Sequence, residues 1–160
     1  QSEYFVPLAS AEAALQAVRE AASLWPGWPA SEGWEDLHAG VPVFHCEVRV
    51  IPMDHLSGMS PFGERDSCSI HFTWGNWSHR ERILEMVSEL EAVLKPFGVR
   101  PHFGKLNTLS AEDVRDAYPE EALEAYKALC LDHDPQGKFR NALLEGQVWG
   151  TGPSIAALYR

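Results

Sequence analysis

Between residues 43 and 74 the chain carries two runs in which apolar and polar residues alternate one for one, FHCEVRV and CSIHFTW. A period of two marks a strand with one covered and one open face. Segments of helical period lie on either side of this pair. AEAALQAVREAASL, with Ser10 as a cap, puts Leu15, Val18 and Ala22 on one face. After a Ser78–Glu81 capping box, Ile83, Val87, Leu90 and Leu94 follow at three- and four-residue spacing. Short strand-like runs close both ends: residues 3–6, stopped by Pro7, and residues 99–103, which follow Gly98. The predicted order is β-α-β-β-α-β. That is an α+β, ferredoxin-like arrangement: an antiparallel sheet with helices on one face and the other face left for solvent, ligand or another domain. The rest reads as a helical extension. Ser110 caps one helix, Pro119 starts another, and DPQGKF is a turn. We therefore expect a ferredoxin-like domain over residues 1–105, its helical extension over 106–147, and a tail over 148–160 that carries no readable pattern.

Alternation also assigns faces. Phe44, Cys46, Val48 and Val50 are predicted to face the helices, as are Cys68, Ile70, Phe72 and Trp74. His45, Glu47, Arg49, Ser69, His71 and Thr73 then share the open face. This face combines an anion, a fixed cation, a titratable ring and a hydroxyl, a set suited to hydrogen-bonding a polyol and handling a proton. From pattern alone an ordinary half-exposed sheet with a surface ion pair is the default reading of the same residues. The run RPHFGKLNT gathers Arg100, His102 and Lys105 around an aromatic and a glycine. Strict alternation with Val99, Pro101 and Phe103 would send Lys105 inward at high cost, so Gly104 is expected to break the strand and turn Lys105 back.

The 160 residues have a net charge of −10, which argues against a nucleic-acid partner. No apolar run is long enough to span a membrane. The beginning, QSEYFVP, lacks a signal-peptide layout and an initiator Met, and is read as a cut into a longer chain. Cys46, Cys68 and Cys130 form no CxxC pair. They are expected to be small buried hydrophobes in a reducing, cytoplasmic setting rather than disulfide or zinc ligands. Asp132, His133 and Asp134 are adjacent in a turn and do not suggest a metal site. Trp25, Trp28 and Trp34 are expected to pack a loop.

Four motifs carry a resemblance: QSEYFVP; CEVRV, with Glu47 and Arg49; SIHFTW, with His71 and Thr73; and RPHFGKLNTLSAEDV followed by DPQGKFRN. Together they resemble the carboxyl-terminal, substrate-side half of the aldonolactone oxidase and alditol oxidase group, within the vanillyl-alcohol oxidase superfamily of flavoenzymes. Phe103 stands where that group usually has Trp. SEYFVP and HFTW lean toward the alditol (xylitol or sorbitol) oxidases.

The resemblance implies FAD, bound mainly by an amino-terminal domain outside this chain, which carries no glycine-rich phosphate loop after a strand. The implied substrate is a polyol or sugar lactone, the implied acceptor oxygen, and the implied product hydrogen peroxide. Arg49, Lys105 and His71 are the implied catalytic groups, with Arg49 and Lys105 stabilising alkoxide character and His71 a proton acceptor or hydroxyl ligand. Glu47, Arg49, Thr73 and Lys105 would bind substrate. Lys105, His102 and Asn141 would approach the cofactor, and no metal is needed. Two alternatives stay open: a dehydrogenase passing electrons to another carrier, and a stand-alone binding module without catalysis.

Overall fold

The structure, a computed structural model, describes residues 1–25, 43–55, 58–75 and 77–159. Strand β1 (Ser2–Pro7), helix α1 (Ala11–Ala22), strands β2 (Val43–Ile51) and β3 (Ser67–Trp74), helix α2 (Arg80–Leu94) and strand β4 (Arg100–Pro101) follow in the predicted order. The strands form one four-stranded antiparallel sheet in the order β2-β3-β1-β4. β1 and β3 are therefore central, and β2 is an edge.

The apolar row of β3 is buried as expected. Cys68, Ile70, Phe72 and Trp74 join Tyr4 and Val6 of β1, Ala14, Val18 and Ala22 of α1, and the Ile83, Val87, Leu90 and Leu94 stripe of α2. β2 departs from expectation. Cys46, Val48 and Val50 pair with Phe72, Ile70 and Cys68, so their side chains lie on the helix side as alternation requires. Yet Cys46 is exposed, and Val48 and Val50 are 52% and 69% exposed. α1 and α2 cover the central strands, and among the described residues of β2 only Val43 enters the main core. Cys46 is thus no buried hydrophobe, whereas Cys68 is. Trp25 is in the core; Trp28 and Trp34 lie outside the described residues.

Neither Ser10 nor Ser78 caps its helix as expected. Ser10 precedes α1 but makes no side-chain cap bond, and α1 follows directly from a single 3-10 turn. Ser78 lies in a 3-10 turn, so α2 starts at Arg80 with His79 before it, and the Ser78–Glu81 pair is not its capping box. Gly98 does end the region of α2, with φ +65° after a further 3-10 turn.

The extension forms α3 (Ala111–Ala117), α4 (Glu120–His133), α5 (Ala142–Leu144), a π-helical turn over Glu145–Trp149, and α6 (Ile155–Leu158). Ser110 makes a full capping box with Asp113, its Oγ accepting from the Asp113 N–H at 3.2 Å. The DPQGKF turn is closed by the Asp134 carboxylate, which accepts from the Lys138 and Phe139 N–H groups. Val114, Tyr118, Leu123 and Val148 build a second core with Phe103 packed against it. The tail is a packed element: Ile155 is buried, and Tyr159 packs on the main core. Gly146 permits this, since a Cβ there would lie 2.7 Å from Ile155 Cδ1.

Candidate active site

The sheet register composes the site. Glu3 of β1 pairs with His71 of β3, and His71 pairs with Glu47 of β2. Residues paired across strands project from the same face, so these three form a row across the side that α1 and α2 leave free. The row beside it is Phe5, Ser69 and Arg49. Thr73, half-buried, lies on the same face opposite exposed His45.

Glu3 is the centre of this face and went unnoticed in the sequence analysis. It is 6% exposed. Its Oε1 accepts from Arg49 Nη2 at 2.8 Å and from Ser69 Oγ at 2.6 Å; its Oε2 accepts from Lys105 Nζ at 2.6 Å. One carboxylate thus holds both cations. Burial pushes its pKa up, but hydrogen bonds from Lys105 and Ser69 and the charges of Lys105 and Arg49 outweigh that and hold it below the ordinary value.

Lys105 reaches Glu3 because the chain turns. β4 ends at Pro101, earlier than the predicted strand over residues 99–103. His102 N–H still donates to Glu3 O, and Lys105 N–H then donates to His102 O, each at 2.9 Å. The break therefore begins at His102 rather than at Gly104, and it returns Lys105 to the polar face as expected. Phe103 does not face the main core. It stacks on Tyr118, with ring centroids 6.0 Å apart. His102 Nδ1 accepts from the Gly104 N–H at 3.1 Å, so the imidazole shapes the turn that presents Lys105.

Further anchors hold this loop. Asn107 donates to Lys105 O at 3.1 Å, and Gln147 donates to Asn107 Oδ1 and, at 2.9 Å, to Leu109 O. Thr108 donates through its N–H and hydroxyl to the buried Glu91, which also accepts from Tyr4 OH at 2.8 Å. A groove lined in part by Gln1, His102, Lys105, Leu143 and Tyr159 opens beside the loop.

His71 is 6% exposed, and among the described residues neither ring nitrogen makes a hydrogen bond. Nδ1 lies 3.3 Å from Glu47 Oε2, a close approach without hydrogen-bond geometry. Burial, then Lys105, lower its pKa against the opposing pull of Glu3 and Glu47, so the ring is neutral at pH 7. Glu47 sits at the rim, near His45 at 3.2 Å and Arg49 at 3.6 Å. Buried polar atoms left unpaired are costly, and this imidazole lies beside two fixed cations with both ring nitrogens shielded from solvent.

The structure thus gathers Glu47, Arg49, His71, Thr73 and Lys105 on one face. The Asn141 Oδ1 accepts from Leu144 N–H at 3.0 Å and caps α5, whose Leu143 shares the groove beside Lys105. Among the described residues, no group of three or more His, Cys, Asp or Glu is placed to hold a metal ion. No helix among them is long and apolar enough to cross a membrane.

Residues 1–147 match the D-arabinono-1,4-lactone oxidase family. The chain belongs to this family. The family is one of FAD-linked oxidases. An alditol oxidase from Streptomyces sp. (strain IKD472 / FERM P-14339) is 37% identical over 94% of this chain and 32% of its own length. A long-chain alcohol oxidase from an uncultured marine euryarchaeote is 32% identical over 64% of this chain and 23% of its own. The L-gulonolactone oxidase of Scyliorhinus torazame is 28% identical over 90% of this chain and 30% of its own. The chain spans at most about a third of the length of these relatives. In this D-arabinono-1,4-lactone oxidase family chain, the matched residues include every member of the polar row.

Proposed function

We propose that this chain is the substrate-side half of an FAD-dependent oxidase that acts on a CH–OH group of a polyol or aldonolactone, with oxygen as acceptor and hydrogen peroxide as product. FAD would be bound mainly by a domain amino-terminal to this chain. The observation that carries the reading is the Glu3-held pair Arg49 and Lys105 beside a buried His71 with no hydrogen-bond partner among the described residues.

The donor set fits the reacting end of such a cofactor: two cationic donors and an imidazole that makes no hydrogen bond among the described residues lie on the face away from α1 and α2. Bound FAD supplies the acceptor for the hydride of the alcohol carbon. The chain's own residues prepare the alcohol. Arg49 and Lys105 stabilise negative charge as the hydroxyl gains alkoxide character. His71, whose Nδ1 faces Glu47 Oε2 at 3.3 Å, would take the hydroxyl proton at Nε2 once a bound substrate reaches that shielded nitrogen. Glu47 accepts hydrogen bonds from further hydroxyls, and Thr73 adds a donor and acceptor. His102 acts through the turn that presents Lys105. Asn141 is left as a helix cap without a cofactor contact in this reading. Exposed Leu129, Leu131 and Phe139 on the extension support a contact with the rest of the protein.

The test uses the full-length protein with xylitol, sorbitol and a gulonolactone in air, following flavin bleaching and peroxide together. We expect peroxide with at least one of them. In Lys105→Ala, kcat is expected to fall about a hundredfold or more with flavin still bound. Flavin that stays unbleached by every one of these substrates sinks the reading. Bleaching that a dye reoxidises but oxygen does not would mean a dehydrogenase.

A further inference from the structure

The proposed reading needs cations beside the reacting hydroxyl, but two unopposed cations on one face make a carboxylate site. Paired cationic N–H donors recognise carboxylates strongly. Here those donors are already engaged from below. Arg49 Nη2 and Lys105 Nζ each give a hydrogen bond to Glu3, whose carboxylate is held in the sheet by Ser69 and covered by its neighbours. Glu3 lies on a central strand, opposite His71, under the place where a ligand would meet that ring. Glu47 supplies the second negative charge at the rim. The cluster therefore balances two cations with two carboxylates, and its His71 carries no charge at pH 7.

We infer that Glu3 is a specificity-determining residue: by cancelling the charge of Arg49 and Lys105 from within the sheet, it makes the site select neutral polyhydroxy substrates over sugar acids bearing the same hydroxyls. The inference rests on the proposed oxidase reading for its substrate class. It adds what that reading leaves open, namely why a site with two cations does not capture carboxylates. Glu3 leaves the cations able to answer a charge that develops only partly in the reaction, while offering little to a ligand that arrives fully charged. Among the described residues the Glu3 carboxylate is met by Arg49, Ser69 and Lys105, so it acts through the two cations.

The experiment compares sorbitol with D-gluconate, which has the same carbon chain length with a carboxylate at one end. Full-length flavoprotein, wild type and Glu3→Gln, is titrated with each, reading the perturbation of flavin absorbance and the inhibition of sorbitol turnover. Glu3→Gln keeps the shape and removes the charge. It is expected to bind gluconate about tenfold more tightly than wild type, with a smaller change for sorbitol. Ser69→Ala removes a hydrogen bond to the same carboxylate without changing charge, and is expected to leave gluconate affinity unmoved. A flavin-loaded Glu3→Gln protein with wild-type gluconate affinity overturns the inference. Should Glu3→Gln fail to fold, wild type still decides: gluconate bound as tightly as sorbitol overturns it, and weaker binding supports it. Acetate is titrated in parallel as an anion that needs no polyol site. If no polyol or lactone reduces the flavin, yet Glu3→Gln gains acetate affinity, the oxidase reading falls while the charge assignment to Glu3 stands.

Discussion

The centre and the edge of the sheet carry the same alternating pattern and use it differently. On the helix side, Ile70 of β3 is fully buried, while its register partner Val48 of β2 is half exposed. On the polar side, Glu3 of β1 is buried and holds two cations, while Glu47 of β2, two strands away across His71, stands at the rim. Identical local chemistry acquires different weight from its distance to the sheet edge. Central positions fix structure and charge; edge positions are free to meet a ligand or another part of the protein.

The largest effect that would test this contrast is in the apolar row. Ile70→Ala is expected to cost about 3 kcal/mol, because it empties a site that the core cannot readily refill. Val48→Ala, directly across the register, is expected to cost at most about 0.5 kcal/mol. Paired denaturation midpoints of the full-length variants measure the difference. Equal losses would mean that the rest of the protein covers Val48, and the edge would then be an interface. The polar row is expected to show the same asymmetry on a smaller scale. Glu3→Ala strands Arg49 and Lys105 and opens a hole beneath them, for about 2 kcal/mol. Glu47→Ala is expected to leave the melting temperature nearly unchanged while weakening substrate binding.

The order of elements, the α2 stripe and the two alternating strands were legible in the sequence because each is a local pattern of fixed period. Which strand lies at an edge is not local, so the exposure of Cys46, Val48 and Val50 was missed. Glu3 was missed for a related reason. SEYFVP reads as a short strand, and nothing within it shows that its pairing with β3 sets Glu3 against His71. Alternation applied to that strand would have separated Glu3 and Phe5 from Tyr4 and Val6, and a central place for the strand would have buried the carboxylate. Of the predicted site residues, Glu47, Arg49, His71 and Thr73 needed only parity, and Lys105 needed the break in the chain. The Gln147–Asn107 clamp on the Lys105 loop joins residues 40 apart and left no periodic trace. Ser10 and Ser78 show the converse limit: Ser10 stands beside the first residue of α1 yet makes no side-chain cap bond, and Ser78 lies inside a 3-10 turn that sets α2 back to Arg80.

The smallest expected effect concerns His71, and it separates burial from charge. Its pKa lies below the ordinary 6.5 because burial and Lys105 together outweigh Glu3 and Glu47. The unfolded chain therefore binds a proton more readily than the folded one. Stability from this group is fully present above pH 6.5 and is lost as pH falls below it, in the same sense as for a carboxylate with a lowered pKa. Replacing His71 by Gln removes this proton uptake, so the melting temperature of the variant is expected to fall less than that of wild type between pH 7 and pH 5.5. Lys105→Met keeps the imidazole and removes the cation facing it, which raises the His71 pKa and makes the slope shallower without abolishing it. A wild-type slope that survives His71→Gln intact would place the titrating group elsewhere. It would also remove the reason to treat His71 as a neutral ring waiting for a hydroxyl, because a ring readily protonated beside Glu3 and Glu47 would already be engaged by their carboxylates.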